Sequence, residues 1–260
     1  LKRYSSYLMD CHLRLNTIST YMRMLRCIYN RGVDMHQTPY VHRMFRDVFT
    51  GIDTRQKKAI PINELHTLLN EDPQSDKLRR TQAIANLLFL FCGMPFVDLA
   101  YLEKSNLEGN MLKYNRAKTG IPMNVEILDS AATIISQLRN KHTTVLPEHP
   151  DYLFYILSGK NKRSDEAGYK EYQSALRCFN NDLKSLARKL CIRSSVTSYT
   201  FRHSWATTAK YRGVPIEMIS ESLGHKSIKT TQIYLKGFEL SERTKVNRLN
   251  YSYVMNFKTI

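Results

Sequence analysis

Three residues in the C-terminal third of this 260-residue chain have types and an order that could serve one reaction. Arg202 lies in "SYTFRHSWATTAKYRG". His225 lies in "LGHKSIKTTQIYLK", and Tyr234 follows it nine positions later. An arginine guanidinium clamps a phosphate through two parallel hydrogen bonds. An imidazole N–H donates to a non-bridging oxygen. A phenol held beside them can attack phosphorus. Singly, each residue has a plainer use. A tyrosine on an apolar helix face packs a core, a histidine after Leu-Gly follows a helix cap, and an arginine in a basic chain faces water. Order and spacing together carry the chemical reading.

The elements that must position these side chains read as helices over 200–212, 215–223 and 227–236, following others over 130–139 and 169–190. Earlier, "INELHTLLN" reads as a short helix and 75–92 as a long one. Gly93 stops the long helix, and Pro95 opens the next at its first position. "NMLKYNRAKTGIPMNVEIL" (110–128) instead reads as two strands around a turn near Thr119-Gly120. In "NTISTYMRMLRCIYNRG" the apolar set Ile18, Tyr21, Met22, Leu25, Ile28 and Tyr29 has helical spacing, with Asn16 or Thr17 as cap and Gly32 as stop. Arg23, Arg26 and Arg31 fall largely on the other side. "GIDTRQKKAIP", with Lys57 and Lys58, reads as a linker. The expected architecture is mainly α with a small β-sheet (α+β), in three parts: a helical domain over 1–53, a linker over 54–60 and a larger domain over 61–260.

Charge points to the partner. With 39 Lys+Arg against 23 Asp+Glu the chain carries +16, a balance that suits a polyanion. Residues 1–60 hold 11 basic and 4 acidic side chains, so the small helical part suits contact with backbone phosphates. The five cysteines include no CxxC pair, which argues against a disulfide framework or a zinc site. Cys92, in "NLLFLFCG", reads as a buried reduced thiol, as in a reducing cytosol. No apolar run reaches membrane-spanning length. No carboxylate cluster suits two-metal chemistry, and there is no phosphate-cradling loop. The first residues, "LKRYSSYLMD", lack a signal-peptide pattern and read as the inside of a helix in a longer protein.

"YTFRHSWAT … LGHKSIKTTQIY" resembles the tyrosine recombinase (phage integrase) family, and the resemblance extends over nearly the whole chain. "GMPFVDLAYL" and "SYTFRHSWA" are closest in wording to integrases of Bacteroides-type mobile elements. The resemblance implies a site-specific recombinase that cleaves and rejoins double-stranded DNA through a 3′-phosphotyrosyl link, without metal, cofactor or ATP. It implies Tyr234 as nucleophile, Arg202 and His225 as phosphate ligands, and Lys118 of "RAKTG" as general acid. It implies that residues 1–53 are part of a core-binding domain, with Arg23, Arg26, Arg31, Lys57 and Lys58 on DNA. It implies self-association on DNA from dimer to tetramer, with the C-terminal segment reaching a neighbouring subunit. The setting implied is the bacterial cytoplasm, at the nucleoid.

Two positions depart from the family pattern. Tyr199 stands where a histidine is usual; a phenol still donates one hydrogen bond to a phosphate oxygen. Pro95 stands where the first catalytic arginine is usual. Arg116, two residues before Lys118 on an expected strand and so on its face, is the leading replacement, with Arg79 and Arg80 more remote. Two alternatives stay open: a type IB topoisomerase-like enzyme, and a catalytically impaired sequence-specific DNA-binding protein on the same fold.

Overall fold

The computed structural model describes residues 1–51, 53, 59–139, 151–161, 163–235 and 240–255, with backbone alone at 233, 234, 240–243, 253 and 254. The chain divides into two compact units, residues 1–56 and 57–260.

The first unit pairs helix α1 (Lys2–Asp10) with α2 (Leu15–Asp34). Its core is small: Leu8, Ile18, Met22 and Val48, flanked by Leu13, Leu25 and Phe45. Polar groups on α2 hold the segment that follows it. The Asn16 amide donates to the Asp53 carbonyl and accepts from the Asp53 N–H, and the Ser19 hydroxyl donates to Gly51. Tyr29 Oη bridges Pro39 and Val41. Asn16 is therefore a clasp inside α2 and not its cap, because the helix begins at Leu15. Nor does Gly32 stop the helix, which runs on to Asp34. A mid-helix glycine costs only about 1 kcal/mol, and this one lets Thr38 approach to 3.1 Å of where a Cβ would stand. The buried stripe is narrower than its periodicity implies, since Tyr21 and Ile28 are exposed. Arg23, Arg26 and Arg31 face solvent.

The second unit is built on α4 (Asp76–Leu90), which packs against α3 (Ile62–Asn70), α6 (Asp129–Leu138), α7 (Glu166–Lys189) and α8 (Thr200–Tyr211). Leu87, Leu88, Leu99, Leu153, Leu183, Leu186 and Phe201 are completely buried at its centre. The helix stops at Leu90 because Cys92 and Gly93 both take left-handed backbone, φ 55° and 67°. That reversal feeds α5 (Phe96–Ala100), with Pro95 one residue ahead of its first turn.

A three-stranded antiparallel sheet follows: β1 (Leu107–Glu108), β2 (Met111–Asn115) and β3 (Pro122–Glu126), in that order. Leu112 pairs with Val125 and Tyr114 with Met123. Leu112, Met123 and Val125 are buried while Lys113 and Asn124 face out. The chain closes with α9 (Ile216–Ser222), α10 (Ile228–Tyr234) and α11 (Leu240–Met255). A separate small core of Ala206, Ile219 and Leu223, with Trp205, Val214 and Leu235 against it, ties α8 and α9 to the end of α10. Helix α11 includes Tyr251 and Met255, which remain 66% and 62% exposed. Among the described residues no helix is long and apolar enough to cross a membrane.

Candidate active site

Arg202 is the third residue of α8, and its side chain turns inward to 1% exposure. Nη1 donates to the Gly93 carbonyl at 3.0 Å, Nη2 donates to the Leu223 carbonyl, and Nη2 also faces His225 Nε2 at 3.2 Å. The first of these contacts depends on Gly93. A Cβ there would lie 2.9 Å from Arg202 Cα, and the residue's φ of 67° favours glycine. The reversal that ends α4 thus brings a carbonyl onto a buried guanidinium. Carbonyl dipoles hold Arg202 without cancelling its charge.

His225 comes next to it through the cap of α9. The Gly224 N–H returns to the Glu221 carbonyl and the His225 N–H to the Ser220 carbonyl. This is the glycine-closed helix end in which the two residues past the cap satisfy orphan carbonyls. His225 therefore both completes a helix terminus and presents a ring. Its Nδ1 lies 2.8 Å from Thr231 Oγ1 on α10. A guanidinium only donates, so Nε2 accepts from Arg202 and the ring proton sits on Nδ1, directed at Thr231. Burial, and then the charges of Arg202, Arg116 and Lys118, push the histidine down to about 4. It is neutral at physiological pH.

Arg116 and Lys118 do not share a strand face. Strand β2 ends at Asn115, and Arg116–Ile121 form the turn. Its ring closes through Arg116 N–H to the Ile121 carbonyl (2.9 Å) and Gly120 N–H to the Arg116 carbonyl (2.8 Å). The alternation of an extended strand no longer applies in the turn. Arg116 is buried, 5% exposed, whereas Lys118 is exposed at the tip. Nη1 of Arg116 pairs with Asp98 Oδ2 at 2.6 Å, inside a fully buried contact. Asp98 Oδ1 accepts from the Ala117 N–H at 2.9 Å, so one carboxylate anchors the arginine and the turn that carries it. Arg116 Nε is buried with no hydrogen-bond partner among the described residues. On the other side the turn meets the His225 loop. The Thr119 hydroxyl donates to the Gly224 carbonyl, and a Cβ on Gly224 would lie 2.8 Å from Arg116 Cγ and Met123 Sδ.

Asp98 was not expected at the site. The available signal was a lone acid in the apolar run "MPFVDLAYL", three residues after Pro95. The more remote candidates have other uses. Arg79 pairs with Asp72 and Asp76, and Arg80 donates to the Tyr155 carbonyl. Tyr199 immediately precedes α8, is 39% exposed and packs its ring edge-on to His203 at 5.2 Å. Tyr234 is the last residue of α10, and its side chain lies outside the described residues, as do Lys57 and Lys58. Tyr114 also lies near the arginines, but burial raises its phenol far above the usual range, so it stays protonated. Cys92 is half-buried, and burial raises its thiol. Among the described residues no three His, Cys, Asp or Glu side chains converge.

The structure thus brings Arg202, Arg116 and Lys118 around His225. The loop carrying that histidine leads directly into the helix that ends at Tyr234. A groove of about 650 Å³ between β3 and α9 opens beside the histidine, lined in part by Met123, Met218 and Lys226. Three cations and a hydrogen-bonding imidazole converging in this way are equipped to hold an anion with several oxygens.

Comparison with known proteins shows the family. Residues 58–239 match the phage integrase family. Tyrosine recombinase XerA of Pyrococcus furiosus is 30% identical over 195 residues, covering 74% of this chain and 62% of that protein. Tyrosine recombinase XerD of Listeria monocytogenes is 24% identical over 226 residues, covering 84% of this chain and 70% of that protein. The present chain thus spans under two thirds of the XerA relative's length. Two solved structures share the fold. The Tn1549 transposon integrase in complex with circular intermediate DNA gives a TM-score of 0.65 at 15% identity, covering 95% of this chain and 84% of that one. The XerH site-specific recombinase bound to a palindromic difH substrate also gives 0.65 at 15% identity, covering 98% and 72%. A match over well more than half the chain, on the fold that carries the arginine–histidine cluster, places this chain in the phage integrase family of tyrosine recombinases.

Proposed function

We propose that the chain is a site-specific DNA recombinase of the integrase type. In the reaction Tyr234 gives its phenol proton to water, the phenolate attacks a backbone phosphorus in line, a 3′-phosphotyrosyl bond forms and the 5′-oxygen departs. Lys118, exposed at the turn tip, supplies the proton that the 5′-hydroxyl needs. A 5′-hydroxyl of the partner strand then attacks the phosphotyrosine, so the phosphodiester is regained and Tyr234 is released. Charge gathers on the non-bridging oxygens in the transition state, and Arg202, Arg116 and His225 answer it. Tyr199 adds one hydroxyl donor. A free phenol has a pKa of about 10, so the same cations also favour its ionised form.

The convergence of Arg202, Arg116 and Lys118 on His225 carries this reading. Arg116 supplies the cation that Pro95 lacks: it is fixed by Asp98, on the helix Pro95 introduces, and keeps a buried Nε–H unused. That favours an active enzyme over an impaired binding protein. A nicked suicide substrate tests it. The wild-type chain should trap a covalent protein–DNA adduct, and Tyr234→Phe should bind the same DNA and trap none. Adduct from the Phe variant would mean another nucleophile. Relaxation of supercoiled plasmid without strand exchange would identify a topoisomerase-like enzyme.

The wider reading assigns residues 1–53 to part of a core-binding domain, 54–60 to a linker and 61–260 to the catalytic domain. The exposed Arg23, Arg26 and Arg31 then contact phosphates, joined by Lys57 and Lys58. The fold neighbours solved on DNA support DNA sites as substrate, and the same reading has the chain assemble on them, from dimer to tetramer. The exposed Tyr251 and Met255 of α11 support docking of this segment on a neighbouring subunit. The wording of "GMPFVDLAYL" supports an integrase of Bacteroides-type mobile elements, acting in the cytoplasm at the nucleoid.

A further inference from the structure

His225 raises a proton-bookkeeping problem. In the free protein its Nε2 accepts from Arg202 and its proton sits on Nδ1. A donor to a phosphate oxygen at Nε2 needs that proton on the other nitrogen. The ring must either become an imidazolium or change tautomer. The first route is disfavoured, because Arg202, Arg116 and Lys118 all raise the cost of a further positive charge. Glu221 and Lys226 flank the loop on the groove side.

The partner of Nδ1 decides the second route. Thr231 is completely buried, one turn before Tyr234 on α10, with its Oγ1 2.8 Å from the ring. A backbone carbonyl in that position could only accept and would lock the proton on Nδ1. A hydroxyl both accepts and donates. It accepts from Nδ1–H in the free protein. After rotation about its C–O bond it donates to a bare Nδ1. Nε2 takes one proton from water and Nδ1 gives one up to water, so the ring is neutral before and after the exchange.

We infer that Thr231 is a positioning residue for the reaction, its hydroxyl orienting the His225 ring and, by reversing its hydrogen bond, stabilising the neutral Nε2–H form that donates to phosphate. The inference rests on the recombinase reading for its catalytic consequence, though not for the tautomer itself.

Thr231→Val keeps the side-chain shape and removes the hydroxyl; Thr231→Ser keeps the hydroxyl. Single-turnover cleavage of a suicide substrate is followed between pH 6 and pH 8.5 for both variants, the wild type and His225→Ala. A phosphate at Nε2 raises the proton affinity of the ring, so imidazolium rescues the Val variant in acid. It should be about 10- to 50-fold slow at pH 8.5 and approach wild type near pH 6. The Ser variant should stay within about threefold throughout, and Val should cost nothing further on His225→Ala. A loss equal at every pH, or one that persists on His225→Ala, would show a packing role and overturn the inference, as would wild-type cleavage by the Val variant. Imidazole nitrogen shifts, read free and with half-site DNA bound in the Tyr234→Phe background, provide a readout independent of cleavage. Free wild type and both variants should show Nδ1–H, the tautomer that Arg202 fixes. With DNA bound near pH 8, wild type and the Ser variant should show Nε2–H, and the Val variant should not. If the wild-type chain formed no adduct at all, the recombinase reading would fall while the DNA-bound shift still decided whether Thr231 supports the Nε2–H form. The same Nε2–H shift in the DNA-bound Val variant would overturn the inference.

Discussion

The two arginines beside His225 are held in opposite ways. Arg202 rests on the carbonyls of Gly93 and Leu223. Arg116 rests on the Asp98 carboxylate, in a pair whose side chains are 5% and 0% exposed. Carbonyls orient a guanidinium and leave its charge on offer, whereas a buried carboxylate orients it and offsets much of that charge. The difference teaches that proximity to His225 is not equivalence beside it. On the proposed reading Arg202 is the principal source of positive potential, and Arg116 combines part of that task with fixing the turn that carries Lys118.

The sharpest break of this comparison is Arg202→Ala. Cleavage should fall on the order of 10³-fold, about 4 kcal/mol of transition-state stabilisation. Half-site binding should change far less, because many phosphate contacts share that affinity. A gel-shift titration beside a single-turnover assay separates the two. Equal losses in both would make Arg202 an ordinary binding residue.

The glycines that admit the arginines give the second contrast. Gly93 and Gly224 both have positive φ, and a Cβ on either meets atoms below 3 Å. At Gly93 the nearest atom is Arg202 Cα, part of a helix backbone that cannot yield. At Gly224 the nearest atoms are Met123 Sδ and Arg116 Cγ, on side chains that can shift. Gly93→Ala should therefore destabilise by about 3 kcal/mol and Gly224→Ala by about 2 kcal/mol, read as midpoints of chemical denaturation. The reverse order would mean that the Arg116 side is the more rigid of the two.

These particulars show how far the sequence could be read. Helix boundaries in the second unit were legible because caps, glycines and apolar periodicity agree there, as over 200–211 and 216–222. Arg202 and His225 were legible because motif and spacing name them. The left-handed pair Cys92–Gly93 could be read only as a helix stop. Its second use, bringing a carbonyl to Arg202, depends on a residue 109 positions away. Thr231 carried no local signal and Asp98 only that of a lone acid in an apolar run, since their partners Arg116 and His225 are found only once the chain has folded. Arg116 and Lys118 were given a common face by strand alternation, which fails where the turn begins. In the first unit Tyr21 and Ile28 fit the helical period yet are exposed, because the core contributed by Leu8, Met22 and Val48 is too small to cover them.

Arg116 gives the third test. Arg116→Met alone leaves Asp98 buried and uncompensated, a loss of about 3–5 kcal/mol. Arg116→Met with Asp98→Asn removes that charge and keeps an acceptor for the Ala117 N–H. The double variant should regain most of the stability and still cleave about 30-fold more slowly than wild type, about 2 kcal/mol. Cleavage at the wild-type rate would show that Arg116 only anchors the turn, and the cation missing at Pro95 would have to come from elsewhere.

The gentlest probe is His225 itself, because it senses both cradles at once. Burial and the Arg202, Arg116 and Lys118 charges hold it at about 4, below the ordinary histidine value of 6.5. The folded state therefore binds fewer protons than the unfolded state between these values. The associated stability is present above about 6.5 and is lost as pH falls toward 4. The ring is only partly buried, so solvent screening keeps this contribution small. The informative comparison is between charge deletions. Relative to wild type, Arg202→Met should move the His225 titration midpoint upward by more than loss of the Arg116–Asp98 pair, made as Arg116→Met with Asp98→Asn. Arg202 touches the ring at 3.2 Å, and its charge outweighs that of Arg116 at the histidine. Lys118→Met, at the exposed tip, should move it least. A histidine-resolved NMR titration reads all three variants. If Arg116 moved the midpoint as far as Arg202, its charge would not be offset by Asp98, and the two cradles would be electrostatically equivalent after all.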